Sequence, residues 1–93
     1  MFVTITGSEY YLGIESYKIG QTLFLIKEPD NSYDDESIKV ETENGTKCGY
    51  IANSVCSVAR GTHSAGYIYN LIKVKQKCKI SFIINDSVIA ELI

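Results

Sequence analysis

The chain is predicted to be mostly β, a small barrel or strongly curved sheet of five to seven short strands with one or two short helices. β-branched or alternating runs recur along it, bounded by Gly, Pro, Asn and Asp. An Asn44-Gly45 pair sits between two such runs, the strongest short hairpin signal, because both residue types tolerate φ > 0. Helical periodicity surfaces only briefly, after residue 52. The 93 residues suffice for one domain, 1–93, with one modest core.

Phe2-Val3-Thr4-Ile5-Thr6 is β-branched and ends at Gly7, a strand. Thr22–Ile26 is nearly continuous in apolar residues and is stopped by Pro29, which predicts a strand buried on both faces. Ser37–Thr42 alternates, with Ile38 and Val40 on one face and Lys39 and Glu41 on the other. The hairpin then returns through Thr46–Ile51. From Asn53 to Gly61 the period changes. Asn53 or Ser54 can cap a two-turn helix, Val55, Val58 and Ala59 share a face, and Gly61 ends it. A strand-rich segment is expected over 66–84, then a turn at Asn85-Asp86 and a closing strand at Val88–Ile93.

Hydrophobic residues make up 45% and charged residues 22%, which argues against disorder. No stretch approaches the ~20 apolar residues of a membrane helix. The start, Met-Phe-Val-Thr-Ile-Thr, lacks a basic n-region and an apolar h-region, so a soluble cytoplasmic protein with no membrane association is expected. The net charge of −2 and pI of about 5.3 argue against a strong non-specific nucleic-acid binder. Residues 1–50 carry nine acids and four bases (−5), and residues 51–93 two acids and five bases (+3), so a positive face can exist in the second half. Cys48, Cys56 and Cys78 are odd in number and widely spaced, which suits buried free thiols better than disulfides. With His63 they lack the tight ligand pairs of structural zinc sites, so no metal is expected.

Nothing points to catalysis, a cofactor or a small-molecule substrate. The single histidine, His63, lies in a Gly/Thr/Ser-rich loop with no nucleophile marked beside it. Asp30, Ser32, Asp34 and Glu41 match positions 1, 3, 5 and 12 of a calcium-binding EF-hand loop, but position 6 needs Gly and holds Asp35. Pro29, Asp30, Asn31, Asp34 and Asp35 read more simply as turn and cap residues. Seven tyrosines and no tryptophan are present. Tyr10, Tyr11 and Tyr33 fall in loop-like stretches, where a ring either stacks a nucleobase or fills the barrel with its hydroxyl outward. Lys73, Lys75, Lys77 and Lys79 alternate along a strand pattern, either to track phosphates or to defend an exposed strand against pairing.

Gly7-Ser8-Glu9-Tyr10-Tyr11-Leu12-Gly13, Leu25–Asp34 with Glu28-Pro29 and Tyr33-Asp34, Ile38-Lys39-Val40, Asn44-Gly45 and Gly49-Tyr50-Ile51 together resemble the HIRAN domain family. The likeness covers about residues 2–85 and is clearest over 7–60. It implies a small OB-like or SH3-like β-barrel acting as a non-catalytic DNA-binding module. Such domains occur in fork-remodelling DNA-repair proteins and as stand-alone bacterial proteins. It further implies capture of a single-stranded DNA 3′ end. Tyr10 and Tyr11 would contact the terminal bases, Tyr33 would help form the pocket, and Asp34 would accept a hydrogen bond from the 3′-hydroxyl. Asp30, Asn31, Tyr50 and Asn53 complete the implied face. One carboxylate can select a free end, because it accepts from a hydroxyl and repels a phosphate.

Four positions depart from the DNA-binding members. Glu9 replaces an arginine, Asp30 an asparagine, Tyr50 a histidine and Asn53 a lysine. Two of these add negative charge near the phosphates and one removes a cation, so weak binding to single-stranded DNA is expected. The alternative is a protein-interaction domain that kept the fold and lost DNA binding, for example a homodimer formed by strand addition along Val88–Ile93.

Overall fold

The computed structural model describes residues 1–11, 13–84 and 87–93. Six segments become strand: β1 (Phe2–Thr6), β2 (Thr22–Lys27), β3 (Ile38–Glu41), β4 (Lys47–Ile51), β5 (Lys75–Ile84) and β6 (Ser87–Leu92). All neighbours pair antiparallel, in the closed order β1-β4-β3-β2-β5-β6, with β6 returning to β1. The mostly β barrel predicted from the sequence is therefore the observed fold. The turn expected at Asn85-Asp86 lies outside the described residues.

Side chains alternating inward fill the barrel. Val3 and Ile5 of β1, Leu23 and Leu25 of β2, Ile38 and Val40 of β3, Cys78 and Ile80 of β5, and Val88 and Ala90 of β6 all lose their exposure to solvent. β2 is not buried on both faces as its continuous apolar run suggested. Leu23 and Leu25 face the core, while Phe24 turns outward and takes the ammonium of Lys75 over its ring at 4.5 Å. The β3–β4 hairpin forms as expected. Its loop has three residues, Glu43–Gly45, held by Gly45 N–H donating to the Thr42 carbonyl at 3.0 Å, with Gly45 at φ +87°.

The helix lies elsewhere than predicted. Residues 53–61 form turns, with the Ser54 carbonyl accepting from Ser57 and Val58 N–H groups at 3.0 Å, and Val55 is 96% exposed. A two-turn helix depends on an apolar face that packs into a core; here Val55 is exposed, and Val58 and Ala59 are half-buried outside the core cluster. The packed helix is α1 (Ala65–Tyr69), inside the segment read as strand. Ser64 caps it by accepting from Tyr67 N–H at 3.1 Å. Ala65, Ile68 and Ile72, spaced i, i+3 and i+7, reach the core. The Ala65 N–H bonds to the Ala52 carbonyl at 3.0 Å, so α1 closes the barrel end where β4 finishes.

Tyr17 packs into the core near the start of β4, its hydroxyl donating to the Cys48 carbonyl at 2.6 Å. Burial pushes its phenol pKa far up, so it stays a neutral donor. Burial also raises the Cys48 thiol and pushes Cys78 up to about 12, leaving both protonated and inert near neutral pH.

β6, the strand expected to be free for addition to another chain, is paired on one side to β1 and on the other to β5. Closure uses the ladder that strand addition needs. No helix among the described residues is long and apolar enough to cross a membrane.

Candidate functional site

The loop after β1 opens at Gly7, whose φ of +76° bends the chain into a short 3-10 turn over Ser8–Tyr10. This leaves Tyr10 80% exposed and sets Tyr11 beside Tyr50 of β4, ring centroids 6.3 Å apart and tilted by 50°. The ammonium of Lys47, also on β4, sits 4.4 Å from the Tyr50 ring centroid and 5.3 Å from that of Tyr11. The adjoining Tyr50 side chain raises the Lys47 pKa above its ordinary value, so the cation persists throughout the neutral range. Sequence reading overlooked Lys47. Period-2 alternation would put Lys47 and Tyr50, three residues apart, on opposite faces; the register shift on β4 breaks that alternation, and Tyr11 joins them only through tertiary structure.

The loop between β2 and β3 is braced from within. Asn31 Oδ1 accepts from the Tyr33 and Asp34 N–H groups at 2.9 and 3.1 Å, and its Nδ2 donates to Glu28 Oε1 at 3.3 Å. Asn31 thus holds the turn. Tyr33, at its tip, is 98% exposed, and Asp30 is exposed beside it. Asp34 Oδ1 accepts from Glu36 N–H at 2.9 Å, and Oδ2 accepts from Asn53 Nδ2 at 3.2 Å. Asn53 Oδ1 in turn accepts from Gly66 N–H at 2.8 Å, tying the loop to the first turn of α1. Each carboxylate oxygen has two acceptor positions, so Asp34 keeps capacity for an incoming donor after these bonds.

The predicted residues therefore fall into two groups. Tyr11 and Tyr50 are in contact, with Tyr10 beside Tyr11 in sequence. Asp34 and Asn53 are bonded to each other, with Asn31 behind them and Tyr33 and Asp30 on the rim. Tyr50 and Asn53 link the groups, three residues apart where β4 runs out, about 10 Å of extended backbone.

The lysine stripe does not join them. Lys75, Lys77 and Lys79 point outward from β5, and in the closed ring of six strands β5 lies three strands from β4 in either direction. Lys73 precedes the strand. The calcium pattern also separates, since Glu41 is drawn into an ion pair with Lys39 at 2.9 Å. Cys48 and Cys78 are in the core while Cys56 is at the surface, and His63 stacks on Tyr67. Among the described residues no group of three or more His, Cys, Asp or Glu side chains could hold a metal ion.

A closed antiparallel barrel whose loops expose a cluster of tyrosines beside one cation and one braced carboxylate has the make-up of a binding module. A family model of the HIRAN domain matches residues 1–87. The chain belongs to the HIRAN family, whose domains are DNA-binding modules. Two solved structures share the fold. The HIRAN domain of human HLTF superimposes with a TM-score of 0.67 at 20% identity, covering 99% of this chain and 73% of that one. A protein from Lactobacillus plantarum superimposes with a TM-score of 0.66 at 21% identity, covering 98% of this chain and 87% of that one. No curated protein sequence matches the chain.

Proposed function

We propose that this domain binds single-stranded DNA and reads its free 3′ end. Bases stack on Tyr10, Tyr11 and Tyr50, Tyr33 closes over the end, and Asp34 accepts from the terminal 3′-hydroxyl. The observation that carries this reading is the bracing of Asp34. Its carboxylate is oriented by Glu36 N–H and the Asn53 amide, and Asn53 follows Tyr50 by three residues where β4 runs out. A fixed acceptor loses little entropy when a hydroxyl arrives. Lys47 is a cation seated on the Tyr11 and Tyr50 rings, which supports a role for it in contacting the phosphate of a nucleotide stacked there. The acids at 28, 30, 34, 35 and 36 oppose phosphate, so binding is weak and strongly salt-dependent.

Fluorescence anisotropy with a labelled strand of ~10 nucleotides at low salt tests the reading. The wild type should prefer a 3′-hydroxyl over a 3′-phosphate end by about 10- to 150-fold, the range of a hydrogen bond to a charged group. Asp34→Ala should erase that preference. No binding of either strand, with the fold intact by circular dichroism, would assign the face to a protein partner instead.

Lys47→Ala provides a second check. It should weaken both strands alike and reduce the slope of log K against log salt by about 0.7, one phosphate contact on a single strand. An unchanged slope would remove Lys47 from the interface.

A further inference from the structure

Asn53 also lines a hollow that holds a second aromatic feature. The His63 and Tyr67 rings stack with centroids 4.3 Å apart and planes within 15°. His63 is pinned by its backbone, with its N–H donating to the Phe2 carbonyl at 2.8 Å and a parallel bridge to Val3. Tyr67, in the first turn of α1, remains 57% exposed, so the imidazole covers one ring face and solvent reaches the rest. The pair borders an open hollow of about 310 Å³ lined by Asn53, Val55, Val58, His63 and Tyr67. That volume is at the small end of the ~300–1,000 Å³ of small-ligand pockets.

A hydrogen-bond chain links the hollow to the Asp34 carboxylate. Asp34 Oδ2 accepts from Asn53 Nδ2 at 3.2 Å, Asn53 Oδ1 accepts from Gly66 N–H at 2.8 Å, and Tyr67 is the next residue. Asn53 therefore contributes to both sites. Tyr67 lies outside the hydrophobic core.

We infer that Tyr67, backed by His63, is a stacking platform for the base of the 3′-terminal nucleotide. The sugar of that nucleotide rests over Asp34 and Asn53, while preceding bases cross to Tyr11 and Tyr50. This rests on the proposed reading of Asp34. A π-face selects an aromatic base without regard to its identity, so the platform adds affinity for an end and no sequence preference. The pre-formed His63–Tyr67 stack means that the ring need not be ordered on binding.

The test is anisotropy on wild type, Tyr67→Ala and Tyr67→Phe with two strands, one fully based and one abasic at its 3′-terminal nucleotide only. Tyr67→Ala should weaken the fully based strand by about 5- to 150-fold, the loss of one base–aromatic stack, and leave the abasic strand unchanged. Tyr67→Phe should bind both strands like the wild type, which a general loss of folding would not permit. If Asp34-dependent end preference is present and Tyr67→Ala affects both strands equally, or neither, the platform is overturned and the end reading stands. If the wild type binds no strand, both fall.

Discussion

Truncating Leu25 to alanine should lower the unfolding free energy by about 2–5 kcal/mol. Leu25 is fully buried at the centre of β2 and opposite Val40 of β3 and Gln76 of β5. A lost isobutyl group leaves a cavity unless the surroundings move in, and here they are held: β2 is hydrogen-bonded to a neighbour on each side of a closed ring. Domains of this size have only about 5–15 kcal/mol in total, so the loss is a large fraction. Urea denaturation followed by far-ultraviolet circular dichroism should show the midpoint falling with an unchanged m-value. Heating should show a drop of about 4–8 °C per kcal/mol. A change under ~1 kcal/mol would mean that the barrel interior collapses around the gap more freely than close packing allows.

Gly49→Ala should cost about 1–3 kcal/mol by overpacking, although it adds only a methyl group. A Cβ at this position would meet the Thr6 carbonyl oxygen at 2.9 Å, Ile5 Cγ2 at 3.0 Å and the Tyr17 hydroxyl at 3.1 Å. The nearest of these is backbone and cannot swing aside. The methyl group therefore pushes β1 from β4 where only Ile5–Ile51 and Thr6–Tyr50 pair, and it crowds the hydroxyl that donates to Cys48. Tyr50 is the next residue, and the loop bearing Tyr10 and Tyr11 leaves from the end of β1. The variant should accordingly lose stability in urea and weaken the Tyr11–Tyr50 contact together. Retention of full stability would show that β1 can separate from β4 at little cost.

Much of the architecture was legible from residue order. Ile38 and Val40 alternating with Lys39 and Glu41, and Asn44-Gly45 before Lys47–Ile51, specify strand and hairpin through local backbone geometry. Phe2–Thr6 is legible from its β-branched residues ending at Gly7, and β6 from the apolar run after residue 86. Position along the chain also gave the exposed loops: the tyrosines at 10 and 33 and the acids around 28–36 all fall where turn residues cluster.

Other features depend on contacts between distant residues. The sequence suggested a helix over 53–61 and strand from 66, yet the α-helix forms at 65–69, because Ile68 finds the core and Val55 does not. A helix this short draws its stability from packing, and packing partners are set by the closed ring. The same ring carries the lysines of β5 to the side opposite β4 and brings Lys47 onto the rings of Tyr11 and Tyr50. It also joins Asp34, Asn53 and Gly66 from three separate segments. Local sequence thus determined most of the strands and the loops between them, but not the helix at 65–69. Tertiary closure decided which exposed side chains met, because side-chain proximity across a barrel follows strand order and register, and neither is encoded in any single stretch of chain.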